Sequence, residues 1–236
     1  MIQGEYRSST IENNMIDTLD KILDEGYPLV LCMVNGDSQV KILEKEIKWI
    51  TRITRALQNC IRTTGPKTFW GSSTDEGIFG IIAPHHEHIS RIKDDLASGS
   101  TDGFDAPWGI EDRAALYVGT VDKLQGKERE AVIVSYGVGD IEQAMGEGEF
   151  IYSRNRLNVA LTRGKKKTIV FLTKELLDFP IEALAIDNKE ILEGINYICG
   201  FKKFMTTEES DTCIDEKTFE SNIDNTSITV FRKKLK

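Results

Sequence analysis

Five short apolar runs recur along the chain, and each has the length of a β-strand. They are residues 29–34, 78–82, 115–120, 131–135 and 168–172. Strands that are apolar on both faces are typical of parallel sheets, because helices cover both sides of such sheets. The runs therefore predict an α/β fold built on one mainly parallel sheet with helices on both faces.

Apolar residues at helical spacing fill most of the intervals between these runs. The spacing predicts helices over residues 11–25, 43–61, 84–96, 156–163 and 181–199. In the fourth of these, Leu157 and Leu161 lie one turn apart on one face, and Arg156 and Arg163 lie two turns apart beside them. Residues 140–149 are acidic and contain glycines, so we expect a solvated loop there.

The composition divides the chain into three parts. We predict a helical segment over residues 1–27, an α/β domain over residues 28–200, and a polar tail over residues 201–236. A chain of 236 residues with 40% hydrophobic content is long enough for one large domain or two small ones. The tail is rich in Thr, Glu, Asp, Ser and Asn, and it has too little apolar surface to predict an ordered structure.

Several classes of protein are disfavoured by the same composition. No run of about eighteen apolar residues is present, so we expect no membrane partner. The N-terminus lacks the basic and apolar segments of a signal peptide. The four cysteines have no paired metal spacing and are typical of reduced thiols, which predicts an intracellular protein of the cytoplasm or nucleus.

The charge of the chain bears on nucleic-acid binding. The net charge of −8 argues against a protein that coats nucleic acid through its overall field. Residues 163–167 nevertheless form a local basic strip that includes Lys165. Two interpretations stay open for this strip: contact with nucleic acid, or a solvated helix end where lysines interact favourably with the helix dipole.

All three histidines fall within residues 85–88, and histidine is a common metal ligand. No other residues supply the remaining ligands at a usual spacing, so we predict no metal site. The segment Gly65-Pro-Lys-Thr68 lacks the first glycine and the preceding strand of a phosphate-binding P-loop. We therefore predict a fold without a P-loop of its own.

Two longer motifs are more specific indicators of a protein family. They are Thr120-Val-Asp-Lys-Leu-Gln-Gly-Lys-Glu128 and Arg156-Leu-Asn-Val-Ala-Leu-Thr-Arg163. In this order they resemble motifs V and VI of superfamily 1 helicases, in the branch that includes the nonsense-mediated-decay helicase and the DNA replication and repair helicases. Residues 83–86 resemble motif IV, although His86 stands where that family commonly has an arginine.

The resemblance implies the second of two RecA-like, P-loop NTPase-type motor domains. In such a motor, ATP and Mg²⁺ lie between the two domains, and single-stranded DNA or RNA crosses both. The first domain, in the same parent chain or in another subunit, carries the P-loop. A second domain supplies an arginine finger and part of the nucleic-acid track.

Site residues are implied by the same motifs. Arg163 corresponds to the arginine finger, and Arg156 would support it or pair with a carboxylate. Gln125 and Gly126 would face the γ-phosphate, and Glu128 the ribose hydroxyls. Other candidates are His86 for phosphate, Thr120 for a nucleic-acid phosphate, Lys165 for nucleic acid, and Trp108, which would stack on a base or pack against the domain.

Three expectations about activity and geometry follow. The isolated chain should hydrolyse no ATP, because the P-loop lysine and magnesium site are missing. The alternative is a non-catalytic remnant that acts as an interaction module for nucleic acid or protein. In either case we expect motifs IV, V and VI at the carboxyl ends of the strands, where open parallel sheets bind ligands.

Overall fold

The computed structural model describes residues 10–64, 79–98, 116–124, 126–178, 188–207 and 227–234. A six-stranded sheet lies at the centre, in the order β3-β2-β4-β5-β1-β6. Its strands are β1 (Leu29–Asn35), β2 (Phe79–Ile82), β3 (Leu116–Gly119), β4 (Arg129–Ser135), β5 (Gly164–Thr173) and β6 (Ser227–Lys233). The first five are parallel to one another, and β6 is antiparallel to β1. The predicted α/β fold with a mainly parallel sheet is confirmed.

Helices cover both faces of the sheet. They are α1 (Thr10–Leu23), α2 (Gln39–Thr64), α3 (His86–Ser98), α4 (Ile141–Gly146), α5 (Gly148–Ile151), α6 (Arg154–Leu161), α7 (Lys174–Leu177) and α8 (Lys189–Thr206), with a 3-10 turn at Val121–Leu124. Alternate residues of β1 point to opposite sides: Val30 and Cys32 pack with α1, α2 and α3, while Leu31 packs with the helices that follow β4. Each central strand is therefore buried on both faces, which explains its unbroken apolar sequence.

The five parallel strands define two edges of the sheet, which we call the amino edge and the carboxyl edge. At the amino edge, Arg129 of β4 pairs with Gly164 of β5. At the carboxyl edge, Ile82 of β2 lies between Gly119 of β3 and Val134 of β4. Because β4 has seven residues and a strand rises about 3.3 Å per residue, the two edges are about 20 Å apart.

The end of the chain differs from the expected polar tail over residues 201–236. Helix α8 continues to Thr206, and β6 adds a strand to the sheet. Ile228, Val230 and Phe231 are each less than 9% exposed. The strand forms because β1 otherwise presents unpaired backbone groups, and pairing with β6 satisfies them.

The basic strip begins β5 instead of ending a helix, so its interpretation as a solvated helix end is wrong. Lys167 is 1% exposed and donates hydrogen bonds to the carbonyl oxygens of Asp24 at 2.7 Å and Tyr27 at 2.9 Å. Lys166 pairs with Glu130 at 2.8 Å. Two of its lysines are thus committed to contacts within the domain.

Replacing Lys167 with methionine should remove a pH dependence of stability. Burial, the main cause, lowers the pKa of Lys167 from 10.5 to about 7. The unfolded chain then binds more protons than the folded chain between these values, so the free energy of unfolding rises with pH across this window. In urea titrations, the wild type and the exposed-lysine control Lys174→Met should gain stability from about pH 7 to about pH 9. Lys167→Met should lack this gain. An equal gain in Lys167→Met would show that the burial of Lys167 does not cause the pH dependence.

Residues 140–149 form helices α4 and α5 where we expected a solvated loop. The carboxylate of Asp140 caps α4 by accepting a hydrogen bond from the amide of Glu142 at 2.8 Å. Ala144 and Gly148 are buried against the domain. A cap and a few small buried residues are enough to order this acidic segment.

Candidate nucleotide and nucleic-acid sites

Helix α6 connects the two edges of the sheet. The hydroxyl of Ser153 caps its start by accepting a hydrogen bond from the amide of Arg156 at 3.4 Å. The helix ends at Leu161, so Arg163 lies in the turn before β5. The expected alignment of Arg156 and Arg163 along one helical stripe is therefore wrong. Arg156 lies towards the carboxyl edge and Arg163 at the amino edge.

Arg163 is held at the amino edge by neutral acceptors. Its Nε donates to the carbonyl of Val159 at 3.2 Å, and its Nη2 donates to the hydroxyl of Thr162 at 3.3 Å. Its own carbonyl accepts from the amide of Arg129 at 2.9 Å. Among the described residues, no carboxylate forms an ion pair with Arg163. Its positive charge is thus available to an anion that approaches this edge.

Gly126 and Glu128 lie at the same edge as Arg163, just before β4, whose first residue Arg129 is hydrogen-bonded to Arg163. Gly126 has a φ of 79°, and a Cβ atom there would meet nothing within 4 Å. The backbone at Gly126 therefore faces open space in a conformation that favours glycine. Glu128 pairs with Lys165 at 4.0 Å, and both side chains are about half exposed. We call Gly126, Glu128, Arg163 and Lys165 the amino-edge site.

A concave region at the carboxyl edge, which we call the carboxyl-edge cleft, encloses a cavity of about 30 Å³. Residues of β2, β4, α5 and α6 line it, together with residues that directly follow β2 and β3. Among the lining residues are Pro84, Thr120, Asp122, Ser135, Phe150 and Arg156. The guanidinium of Arg156 lies 4.0 Å from the ring centre of Phe150, and its Nη2 is 3.4 Å from the carboxylate of Asp122. Its Nη1 is buried without a hydrogen-bond partner in the described part of the chain. The cleft thus combines an apolar floor with an arginine fork.

The motifs divide between the two edges. Thr120 directly follows β3 and His86 begins α3, so both lie at the carboxyl edge as expected. Glu128 and Arg163 lie at the amino edge, and for them the expectation is wrong. The chain returns to the amino edge twice, through the 3-10 turn before β4 and through α6 before β5. Lys165 lies with Glu128, away from Thr120. Gln125 and Trp108 lie outside the described residues.

A buried polar chain beside the cleft was missed by the sequence analysis. Ser135, the last residue of β4, donates from its hydroxyl to Oε1 of Glu46 at 2.5 Å, and its Oγ is 2.5 Å from Nε2 of His88. Burial raises the pKa of Glu46 to about 7 and lowers that of His88 to about 4. One signal was available: Glu46 interrupts the apolar stripe of α2 next to Ile47 and Ile50.

Within the described ranges, no group of three His, Cys, Asp or Glu side chains is arranged to hold a metal ion. No helix in those ranges is both long and apolar enough to cross a membrane.

Comparison with known proteins identifies the family. Residues 8–175 match the model of the AAA domain family. The DNA replication ATP-dependent helicase/nuclease DNA2 of Xenopus tropicalis is 35% identical over 175 residues, which cover 72% of this chain and 14% of that protein. The corresponding DNA2 of Mus musculus is 29% identical over 149 residues, or 63% of this chain and 12% of that protein. The putative helicase MOV-10 of Gallus gallus is 28% identical over 170 residues, or 66% of this chain and 16% of that protein.

This chain therefore spans 12 to 16% of the length of these relatives. The family match covers well over half of the chain, and it includes both motifs and the five parallel strands. The chain belongs to the AAA domain family, as a superfamily 1 helicase domain of the branch that includes DNA2 and MOV-10.

Proposed function

We propose that this chain is the second motor domain of an ATP-dependent DNA or RNA helicase. In this proposal the amino-edge site faces ATP and Mg²⁺ held by a P-loop-bearing first motor domain, in the same parent chain or in another subunit. The observation that supports it most is the position of Arg163 at the same edge as Gly126 and Glu128, without a carboxylate partner among the described residues.

Arg163 would act as the arginine finger. Transfer of a phosphoryl group spreads negative charge over its oxygens, and a positioned arginine stabilises that charge. The bonds of Arg163 to Val159 and Thr162 use neutral acceptors. A phosphate oxygen is a stronger acceptor because the bond is then charge-assisted on both sides, so the side chain can exchange these contacts for the nucleotide.

Glu128 and Gly126 would complete the nucleotide contact. The ion pair of Glu128 with Lys165 is long and solvent-exposed, so it contributes little and leaves the carboxylate able to accept hydrogen bonds from ribose hydroxyls. Gly126 allows close approach of a phosphate because no side chain occupies the space in front of it.

The carboxyl edge would form part of the nucleic-acid track. Thr120 lines the cleft there and offers a hydroxyl to a backbone phosphate. Lys165 lies at the other edge, so in this proposal it tunes Glu128 and does not contact the same track. Trp108 is retained only as the candidate that the motif comparison suggested.

The test is ATP hydrolysis by a completed motor, made by joining this chain to the first motor domain of the Xenopus tropicalis DNA2 relative. We expect hydrolysis that single-stranded DNA or RNA stimulates. A completed motor that binds a fluorescent ATP analogue but hydrolyses no ATP would favour the alternative, a non-catalytic module that binds nucleic acid or protein.

The isolated chain should show no ATP hydrolysis above background, with or without single-stranded nucleic acid. The reason is that no P-loop lysine or magnesium ligand is recognisable in its sequence. Phosphate release from the purified chain is the measurement. Hydrolysis at helicase-like rates that Arg163→Ala abolishes would contradict this prediction.

His86→Ala should leave hydrolysis by the completed motor almost unchanged. His86 is exposed at the carboxyl edge, about 20 Å from the edge that holds Arg163, so the two side chains do not share one phosphate. We expect a change of less than about twofold in kcat, whereas loss of a transition-state contact costs about a hundredfold or more. A tenfold loss, reversed by His86→Arg, would restore the phosphate role of His86.

A further inference from the structure

The floor of the carboxyl-edge cleft is hydrogen-bonded to helix α2 and to the end of β5. Ser135 and Tyr136 line this floor. We call residues 136–139, the segment that begins with Tyr136, the floor loop. Gln39 of α2 donates to the carbonyl of Gly137 at 3.0 Å and accepts from the amide of Gly139. The hydroxyl of Thr173 donates to the carbonyl of Val138 at 2.8 Å. These contacts are between neutral groups, so they hold the floor loop at any pH.

One further tie involves a charge. Glu46 of α2 is completely buried, and its Oε1 accepts from the hydroxyl of Ser135 at 2.5 Å and from the amide of Gly137 at 3.3 Å. Its Oε2 has no hydrogen-bond partner among the described residues. A buried carboxyl with an unpartnered oxygen gains or loses a proton at little cost in broken contacts.

His88 packs against the same loop from α3. Its Nε2 lies 2.5 Å from Oγ of Ser135, and its ring atoms lie 2.9 to 3.0 Å from the position that a Cβ of Gly137 would occupy. Gly137 has a φ of 62°, so only glycine fits both the conformation and the space. His88 therefore lies against both Ser135 and Gly137.

We propose that Glu46, Ser135 and His88 form a protonation-sensitive latch that sets the position of the floor loop and thereby of the carboxyl-edge cleft. When Glu46 is ionised, its carboxylate draws the hydroxyl of Ser135 and the amide of Gly137 towards α2, because hydrogen bonds to a charged acceptor are about twice as strong. When Glu46 is protonated, these bonds weaken and the floor loop is held only by its neutral ties. That the cleft binds nucleic acid rests on the proposed function.

Other titratable groups lie near this latch and bear on the pH range in which it responds. Cys32 faces Glu46 from β1, and burial raises the pKa of its thiol so that it stays neutral. Burial is the main cause that lowers the pKa of His88 to about 4, and the nearby His85, which precedes α3, and Arg91 of α3 lower it further. His88 is therefore neutral near neutral pH. Glu46, with a pKa raised to about 7 by burial, is then the group that titrates near neutral pH.

The experiment uses the ¹⁵N-labelled chain and follows the amide resonance of Gly137 between about pH 5.5 and 8.5, which brackets the pKa of Glu46. In the wild type and in Glu44→Gln, an exposed glutamate of the same helix, this resonance should titrate with a midpoint near 7. In Glu46→Gln it should not titrate. A wild-type resonance that does not move, or that moves equally in Glu46→Gln, would overturn the proposal.

Ser135→Ala keeps the test decisive if Glu46→Gln does not fold. The hydroxyl of Ser135 stabilises the ionised carboxylate and lowers the pKa of Glu46, so its removal should shift the midpoint of Gly137 to higher pH. An unchanged midpoint would contradict the latch.

Binding of a short fluorescent single-stranded DNA then separates the latch from the proposed function. We expect the wild type to gain affinity relative to Glu46→Gln by about fivefold or more between pH 6 and pH 8, which is the usual scale of coupling between sites. Binding that is equal in both proteins at both pH values would show that the latch does not act on the cleft. Absence of binding at every pH, with a normal titration of Gly137, would overturn the nucleic-acid assignment and leave the latch standing.

Discussion

Replacing Arg163 with alanine should lower ATP hydrolysis by the completed motor by about three to five powers of ten, the measured worth of an arginine finger. The loss should appear in kcat, while the affinity for ATP changes much less. The reason is that the negative charge on the phosphoryl oxygens, which the guanidinium stabilises, develops fully only in the transition state. Steady-state hydrolysis and equilibrium binding of a fluorescent ATP analogue together measure both quantities.

Arg154 provides a matched control for this substitution. It begins α6, the helix that precedes Arg163, is exposed, and is not part of the amino-edge site. Arg154→Ala should retain nearly full activity. Arg163→Lys should recover little, because an ammonium lacks the planar fork that meets two phosphate oxygens at once. Equal activity of Arg163→Ala and Arg154→Ala would remove Arg163 from the mechanism.

Replacing Gly194 with alanine should destabilise the fold by about 3 kcal/mol or more, at the upper end of what overpacking costs. Gly194 lies in α8 where the helix crosses the end of α5. A Cβ atom there would lie 1.6 Å from the carbonyl oxygen of Tyr152, which belongs to the backbone and cannot rotate away. Helix α8 would have to move off the sheet. The midpoint of urea unfolding, followed by circular dichroism, measures the effect.

Gly200 provides a control in the same helix, because it lacks the close contact that Gly194 makes with Tyr152. A Cβ atom at Gly200 would meet nothing within 4 Å. Gly200→Ala should therefore stabilise the protein by about 0.5–1 kcal/mol, because alanine loses less backbone freedom on forming a helix. The prediction is a change of sign between the two variants. Similar midpoints for both would show that α8 does not approach Tyr152 as closely as described.

Local pattern was sufficient for the parallel part of the sheet and for most of the long helices. Strands buried on both faces need apolar residues at every position, and helices on one face of the sheet need them at every third or fourth position. Both signals are visible in a short window of sequence. The core positions of α3, Ile89, Ile92 and Leu96, are buried as their spacing predicts.

Three misjudged elements show where local pattern was insufficient. Ser227–Lys233 forms a strand because the backbone of β1 is available for pairing on one side. The mixed composition of these seven residues does not indicate that such a pairing partner exists. The strip of residues 163–167 follows a helix and begins a strand, so Lys167 is buried by the loop at Asp24 that precedes β1. Glu46 is compatible with a buried helix face only because Ser135 lies opposite it.

The sequence by itself determined the fold class, the family and the identity of the motif residues, because each depends on residue types within a few neighbouring positions. Only the tertiary structure decided how those residues are grouped. Arg163 and Glu128 lie at one edge of the sheet, and Thr120, His86 and Arg156 lie towards the other, because the chain returns to the amino edge before β4 and again before β5. That return is a property of the connections between strands, and contacts between residues far apart in the chain set its course.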